Sequence, residues 1–140
     1  MGVTLAHPET DYAPDFVVTH PLWGARMVVE VLGWPLDGPL DEQRDWQRLM
    51  EYQRWSKAPY ALLFSPEKAY LAHPDGNIQE IDAPAVMADY GWTSPPRSFN
   101  AKFLTESFVE NWLSELALGI GRHEPPPGFP DLKDDEVRQI

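Results

Sequence analysis

The chain has 140 residues, 43% of them hydrophobic, with six Trp, no Cys and a formal net charge of −11; its pI is near 4.6. That length suffices for one domain with a sizeable core and is short for two, while the charge works against a general nucleic-acid binder or an anionic-membrane binder. Without Cys there is no disulfide framework, no thiolate nucleophile and no Cys-ligated zinc.

Met1 is followed by Thr4, His7, Glu9 and Asp11 instead of a basic and then apolar run, so neither a signal peptide nor a membrane span is expected and cytoplasmic residence is the default. Two strands are expected at 15–19 and 26–32, joined by the turn-rich Thr19-His20-Pro21-Leu22-Trp23-Gly24 and pairing as a hairpin. The second is a nearly unbroken apolar run, the pattern of a central strand buried on both faces. A turn over 33–39 leads to a helix at 41–57, with Asp41 as cap, Lys57 in the last turn, and Trp46, Leu49, Met50 and Trp55 at helical spacing.

The strand Tyr60-Ala61-Leu62-Leu63-Phe64 then completes a strand-helix-strand unit, expected to be a right-handed parallel crossover. Edge strands are expected at 68–72 and 77–81, turned by Asp75-Gly76, and a short helix from Asp82 to Tyr90. A second long helix is expected at 101–117, with Asn100 as cap and Phe99 stapling against Leu104. Leu104, Phe108, Trp112 and Leu116 form its apolar stripe, widened by Phe103 and Leu113. Gly119 and Gly121 end it. The pattern therefore predicts one α/β domain over 1–122, with a mixed sheet of about five strands, followed by an acidic, Pro-rich tail over 123–140 that stays outside the core.

Asp15 and Glu30 carry the chemistry. A carboxylate interrupting an apolar strand is costly unless it faces water, a partner or a cation, and the hairpin would set these two side by side on one face. Two such carboxylates suit Mg²⁺ or Mn²⁺, whose chemistry is phosphodiester hydrolysis. Each has a plainer reading: Pro14-Asp15 is an ordinary strand start, and Glu30 could form a structural ion pair with Arg48 or Arg26. His7, His20, His73 and His123 show no metal spacing, no Gly-rich phosphate loop is present, and neither Ser65 nor Ser94 has a triad context.

Pro14-Asp15 followed by Glu30 on the next strand resembles the PD-(D/E)XK nucleases, the restriction-endonuclease-like superfamily, whose pattern is Pro-Asp and then Glu-x-Lys; Leu32 stands at the Lys position. Within that superfamily the chain is most similar to the Uma-type endonucleases: Glu30-Val31-Leu32-Gly33 matches their Glu-Val-x-(small) segment, and Arg48 and Tyr52 hold the spacing of their Lys-x-x-x-Tyr helix. The nuclease domains of type I restriction motor subunits offer a related Gln-x-x-x-Tyr, with Arg48 in register and Gln47 one residue out. The resemblance covers residues 12–82.

It implies a restriction-endonuclease-like fold, Mg²⁺ or Mn²⁺ held by Asp15 and Glu30, Arg48 or Gln47 orienting the scissile phosphate or water, and DNA as substrate along Arg26, Arg44, Arg48, Arg54 and Lys57. Leu32 cannot do what the family's Lys does. The family's first helix, which carries a further acid, has only 14 residues to occupy before Asp15; Glu9 or Asp11 could substitute, or the 101–117 helix could fill the vacant space. The alternative is a catalytically inactive, acidic protein-interaction module or a subunit of a larger assembly. A homodimer is expected, burying some of Trp23, Trp34 or Trp92 to cover an exposed sheet face.

Overall fold

The computed structural model describes residues 12–92, 101–119 and 124–140. Its elements are β1 (Phe16–His20), β2 (Gly24–Val31), α1 (Arg44–Ser56), β3 (Tyr60–Phe64), β4 (Lys68–Ala72), β5 (Ile78–Asp82), α2 (Ala83–Asp89), α3 (Ala101–Leu118) and β6 (Glu136–Gln139). Among the described residues, six strands form one mixed sheet in the order β5-β4-β3-β2-β1-β6. β2 and β3 run parallel, joined through α1; every other neighbouring pair is antiparallel.

The alternation of each strand sorts its side chains to two faces. On one face Phe16, Val18, Val29, Val31, Leu62 and Phe64 meet Phe108, Val109, Trp112 and Leu113 of α3 and Met87 of α2. On the other, Val28, Leu32, Ala61 and Leu63 meet Trp46 and Leu49 of α1. Burying a Leu, Val or Phe of this kind contributes about 1.5–3 kcal/mol. β3 and the Met27–Val29 stretch of β2 are apolar because both of their faces are covered, as the run in β2 suggests.

Several expectations need correction. The 41–57 helix is split: Leu40–Glu42 is a 3-10 turn and α1 begins after Gln43, with Asp41 outside it, while Lys57 is a left-handed C-cap at φ 62°. β4 is interior, since β5 takes the edge. Phe103 does not widen the α3 stripe; it is 66% exposed. Phe99, Asn100, Glu9 and Asp11 lie outside the described residues. Asp82 does cap α2, its Oδ1 accepting from the Ala85 amide at 3.2 Å.

The largest correction is the tail. Glu136–Gln139 is the sixth strand, pairing antiparallel with β1 in the register Phe16 to Gln139 through Thr19 to Glu136. Leu132 is buried in the α3-side core. Asp135, its side chain 1% exposed, meets Arg26 Nε at 3.5 Å, and Arg26 Nη2 donates to the Asp131 carbonyl at 3.0 Å. Composition disfavours autonomous folding of this segment, but an existing sheet edge and an existing apolar slot supply what the segment lacks. Its sequence pattern, judged alone, holds no trace of them.

The 101–117 helix, α3, does pack on the sheet face that would otherwise need a partner, so an uncovered face no longer argues for a dimer. Trp92 packs its ring 5.6 Å from Phe108; Trp23 and Trp34 remain exposed. Leu132→Ala should lower the thermal midpoint by on the order of ten degrees, as a buried Leu truncation does, and removal of residues 124–140 should lower it further. A scanning-calorimetry midpoint unchanged by either would contradict the docking of this segment.

Candidate functional site

The site lies at the carboxyl end of the parallel pair β2 and β3, the place where open α/β sheets present a crevice. Leu32 N–H donates to the Phe64 carbonyl at 2.8 Å, keeping the two strand ends together. Glu30 is the penultimate residue of β2. Asp15 immediately precedes β1, and the pairing of Phe16 with Val29 sets Asp15 opposite Glu30. Both fall on the α1 side of the sheet, since Phe16, Val29 and Val31 point to the α3 side.

Asp15 is fixed at both ends. Its Oδ2 accepts from the Val31 amide at 2.8 Å and its carbonyl accepts from the Ile140 amide at 3.2 Å. Around the pair, Tyr12, Asp45, Arg48 and Lys102 line a cavity of about 330 Å³. Arg48 lies over the Tyr12 ring at 6.0 Å, and Tyr12 meets Tyr52 edge-on at 6.0 Å between centroids. The Arg48 and Tyr52 spacing on α1 thus serves the site and its packing together. Gln47 is not brought there: it is exposed and donates to the Asp41 carbonyl at 3.0 Å. Arg26 is also elsewhere, toward the start of β2 and paired with Asp135.

Sequence reading missed Lys102. Its Nζ lies 3.7 Å from Asp15 Oδ1 and 3.7 Å from Glu106 Oε1, one helical turn along α3. Gly33 makes this approach possible, because a Cβ there would fall 2.5 Å from the Lys102 backbone nitrogen and 2.7 Å from its Cα. One signal was legible: a Lys in the first turn of a helix opposes the helix dipole and wants an external anion. Its anion comes from a residue 87 positions earlier, which no local pattern reveals.

Burial, and then the neighbouring Asp15 charge and a hydrogen bond with Asp15, push the Glu30 carboxyl up to about 8. At neutral pH Glu30 is therefore largely protonated beside Asp15. Burial also raises Glu106, with Asp15 adding to the shift. For Lys102 burial acts downward, but Asp15, Glu30 and Glu106 outweigh it and hold the ammonium above its ordinary range. The Tyr12 hydroxyl is raised by burial and then by Glu30. Two buried polar atoms here, Glu30 Oε1 and the Tyr12 hydroxyl oxygen, make no hydrogen bond among the described residues.

Those orphaned atoms are an observation that a cation and its water would answer: an acceptor and a hydroxyl face one small polar cavity. No group of three or more His, Asp or Glu side chains arranged for a metal occurs among the described residues. Two carboxylates nevertheless fit Mg²⁺ or Mn²⁺, because Mg²⁺ commonly rests on one or two carboxylates and completes its shell with water and substrate oxygens.

Fold and site together define an acidic α/β protein with a mixed six-stranded sheet and a carboxylate–lysine cavity at its parallel strand ends. No family model, no curated protein and no solved structure matches the chain. No helix among the described residues is long and apolar enough to cross a membrane.

The raised Glu30 carboxyl has a definite linkage. Below pH 4.5 it is protonated whether folded or unfolded; between 4.5 and about 8 the unfolded chain releases the proton and the folded chain keeps it. Stability should therefore fall as pH rises across that window, at up to about 1.4 kcal/mol per pH unit for this group. Glu106 is shifted in the same direction. Glu30→Gln, whose amide can donate to Asp15 without a titrating proton, should be more stable than the wild type at pH 8 and lose that advantage near pH 4.5. Urea unfolding at the two pH values reads this; a pH-independent difference would contradict the assignment.

Proposed function

We propose that the chain is a Mg²⁺- or Mn²⁺-dependent phosphodiester hydrolase of the restriction-endonuclease-like type, acting on DNA. The observation that carries this is the Asp15–Glu30 pair, opposed across two strands at the end of a parallel crossover, with an ammonium 3.7 Å from Asp15. The order of strand, acid-bearing strand, helix and parallel strand supports the same fold type.

Asp15 and Glu30 would hold the cation, which supplies a counter-charge for the phosphodiester and acidity to a nearby water. Lys102 takes over from the missing motif Lys: carried on α3 instead of β2, it offers three donors to a phosphate oxygen or an attacking water. Leu32 is free to be apolar because it packs with Trp46 and Leu49 of α1. Arg48 is permanently charged, so its part is to offset phosphate charge from the α1 side of the cavity. Asp15, locked by the Val31 amide, would be the fixed ligand, and Glu30 would become one on losing its proton.

A thermal-shift titration and a plasmid-and-oligonucleotide cleavage assay test this reading. Mn²⁺ should raise the melting temperature, more so as pH passes through about 8, since binding releases the Glu30 proton. Lys102→Ala should keep the Mn²⁺ shift and lower kcat about 10²–10³-fold. Glu30→Gln should lose both the shift and the cleavage; cleavage that survives in it sinks the proposal.

One surface feature favours a second reading, an acidic protein-interaction module or homodimer. Leu22 is 82% exposed and Trp23 67% exposed at the β1–β2 turn, with His20 stacked on Trp23 at 3.9 Å and Arg26 over it at 5.5 Å. Such a stiffened, exposed aromatic tip suits a protein contact. Light scattering at rising concentration should then show a dimer that Trp23→Ala dissociates, and a monomer throughout would remove the homodimer.

A further inference from the structure

The cavity is poor in cations for an enzyme of duplex DNA. Arg48 and Lys102 line it, against Asp15, Glu30 and Asp45, and the chain as a whole carries −11. Duplex binding depends on neutralising many phosphates at once. Arg26, the cation on β2, is already engaged by Asp135 and the Asp131 carbonyl. Arg44, Arg54 and Lys57 are exposed along α1 and at its end, so the cavity itself gains most from uncharged contacts that add to theirs.

Two exposed aromatic side chains are rooted next to residues of this region. Gly33 and Lys102 touch backbone to backbone, and the next residue of each chain segment is a large, exposed aromatic: Trp34, 56% exposed, and Phe103, 66% exposed. Neighbouring Cα atoms lie about 3.8 Å apart, so both rings are rooted within one residue of the contact that delivers Lys102 to the cavity. Phe103 is exposed on a helix whose neighbouring positions Ala101, Thr105 and Phe108 are buried, so core packing does not account for it. Aromatic faces beside a phosphate-handling site are a standard means of holding unpaired bases without regard to sequence, alongside cations that meet the backbone, here Lys102 and Arg48. Paired bases in a duplex offer no free face to stack on.

Resting on the hydrolase reading above, we infer that the substrate is single-stranded nucleic acid, with bases stacked on Trp34 and Phe103 while the adjoining phosphodiester enters the Asp15–Glu30–Lys102 cavity. Trp34 and Phe103 are then specificity-determining residues, and discrimination against duplex follows from the low positive charge of the cavity.

The test is fluorescence anisotropy of a labelled oligothymidylate, and of a duplex of equal length, titrated with the full chain in Mn²⁺. The single strand should bind more tightly than the duplex. Trp34→Ala and Phe103→Ala should each weaken single-strand binding about five- to a hundredfold, while Trp34→Phe and Phe103→Tyr restore most of it. Both positions are exposed, so the Ala variants should melt at the wild-type temperature and keep the wild-type Mn²⁺ shift. Single-strand binding unchanged in both Ala variants, or tighter binding of the duplex, overturns the inference even if Mn²⁺-dependent cleavage is present. Loss of the Mn²⁺ shift and of cleavage in the wild type, with ring-dependent single-strand binding intact, would instead overturn the hydrolase reading and leave the stacking surface standing.

Discussion

Four parts of the molecule meet at Asp15. Its carbonyl receives the amide of Ile140 just past β6, its carboxylate receives the amide of Val31 in β2, its charge anchors Lys102 at the start of α3, and it shares a proton with Glu30. A single carboxylate placed one residue before β1 thus ties three strands and a helix together. The arrangement is asymmetric: Asp15, half-buried, has a backbone amide and an ammonium to hand, while Glu30 is deeper, has an orphaned oxygen and is pushed up to about 8. Similar residue types opposed on neighbouring strands acquire different roles from their surroundings alone.

The sheet makes that junction possible because neither of its central strands needs water. With α1 on one face and α2 and α3 on the other, β2 from Met27 onward and most of β3 are buried, and the Asp15–Glu30 pair sits at their carboxyl ends. The C-terminal segment completes the far side, adding β6 to the β1 edge and burying Asp135 against Arg26. An edge strand left bare would be a template for association with other chains; here part of the chain's own acidic end fills it.

Charge shapes what the site could take. Carboxylates outnumber cations both in the whole chain and around the cavity, which favours cations over polyanions there. Lys102 and Arg48 offset part of the deficit from opposite elements, α3 and α1. Trp34 and Phe103, each one residue beyond the Gly33–Lys102 contact, are exposed apolar rings next to this charged region.

Local pattern alone determined much of this. The unbroken apolar run over 26–32, the helical spacing of Trp46, Leu49 and Trp55, the stripe through Phe108 and Trp112, and the Asp82 cap all correspond to observed elements, because periodicity and capping are properties of a few consecutive residues. The hairpin also put Asp15 opposite Glu30, since a short turn fixes register. What only the tertiary structure decided are pairings across long stretches of chain. β6 joins a strand that begins 120 residues earlier, so its sparse apolar pattern says nothing of the edge awaiting it. Lys102 reaches Asp15 only because Gly33 lets α3 come into backbone contact, a consequence of one missing Cβ that no spacing rule encodes. Gln47 and Arg48 were indistinguishable by sequence proximity, and 100° of helical rotation sends one to solvent and the other into the cavity.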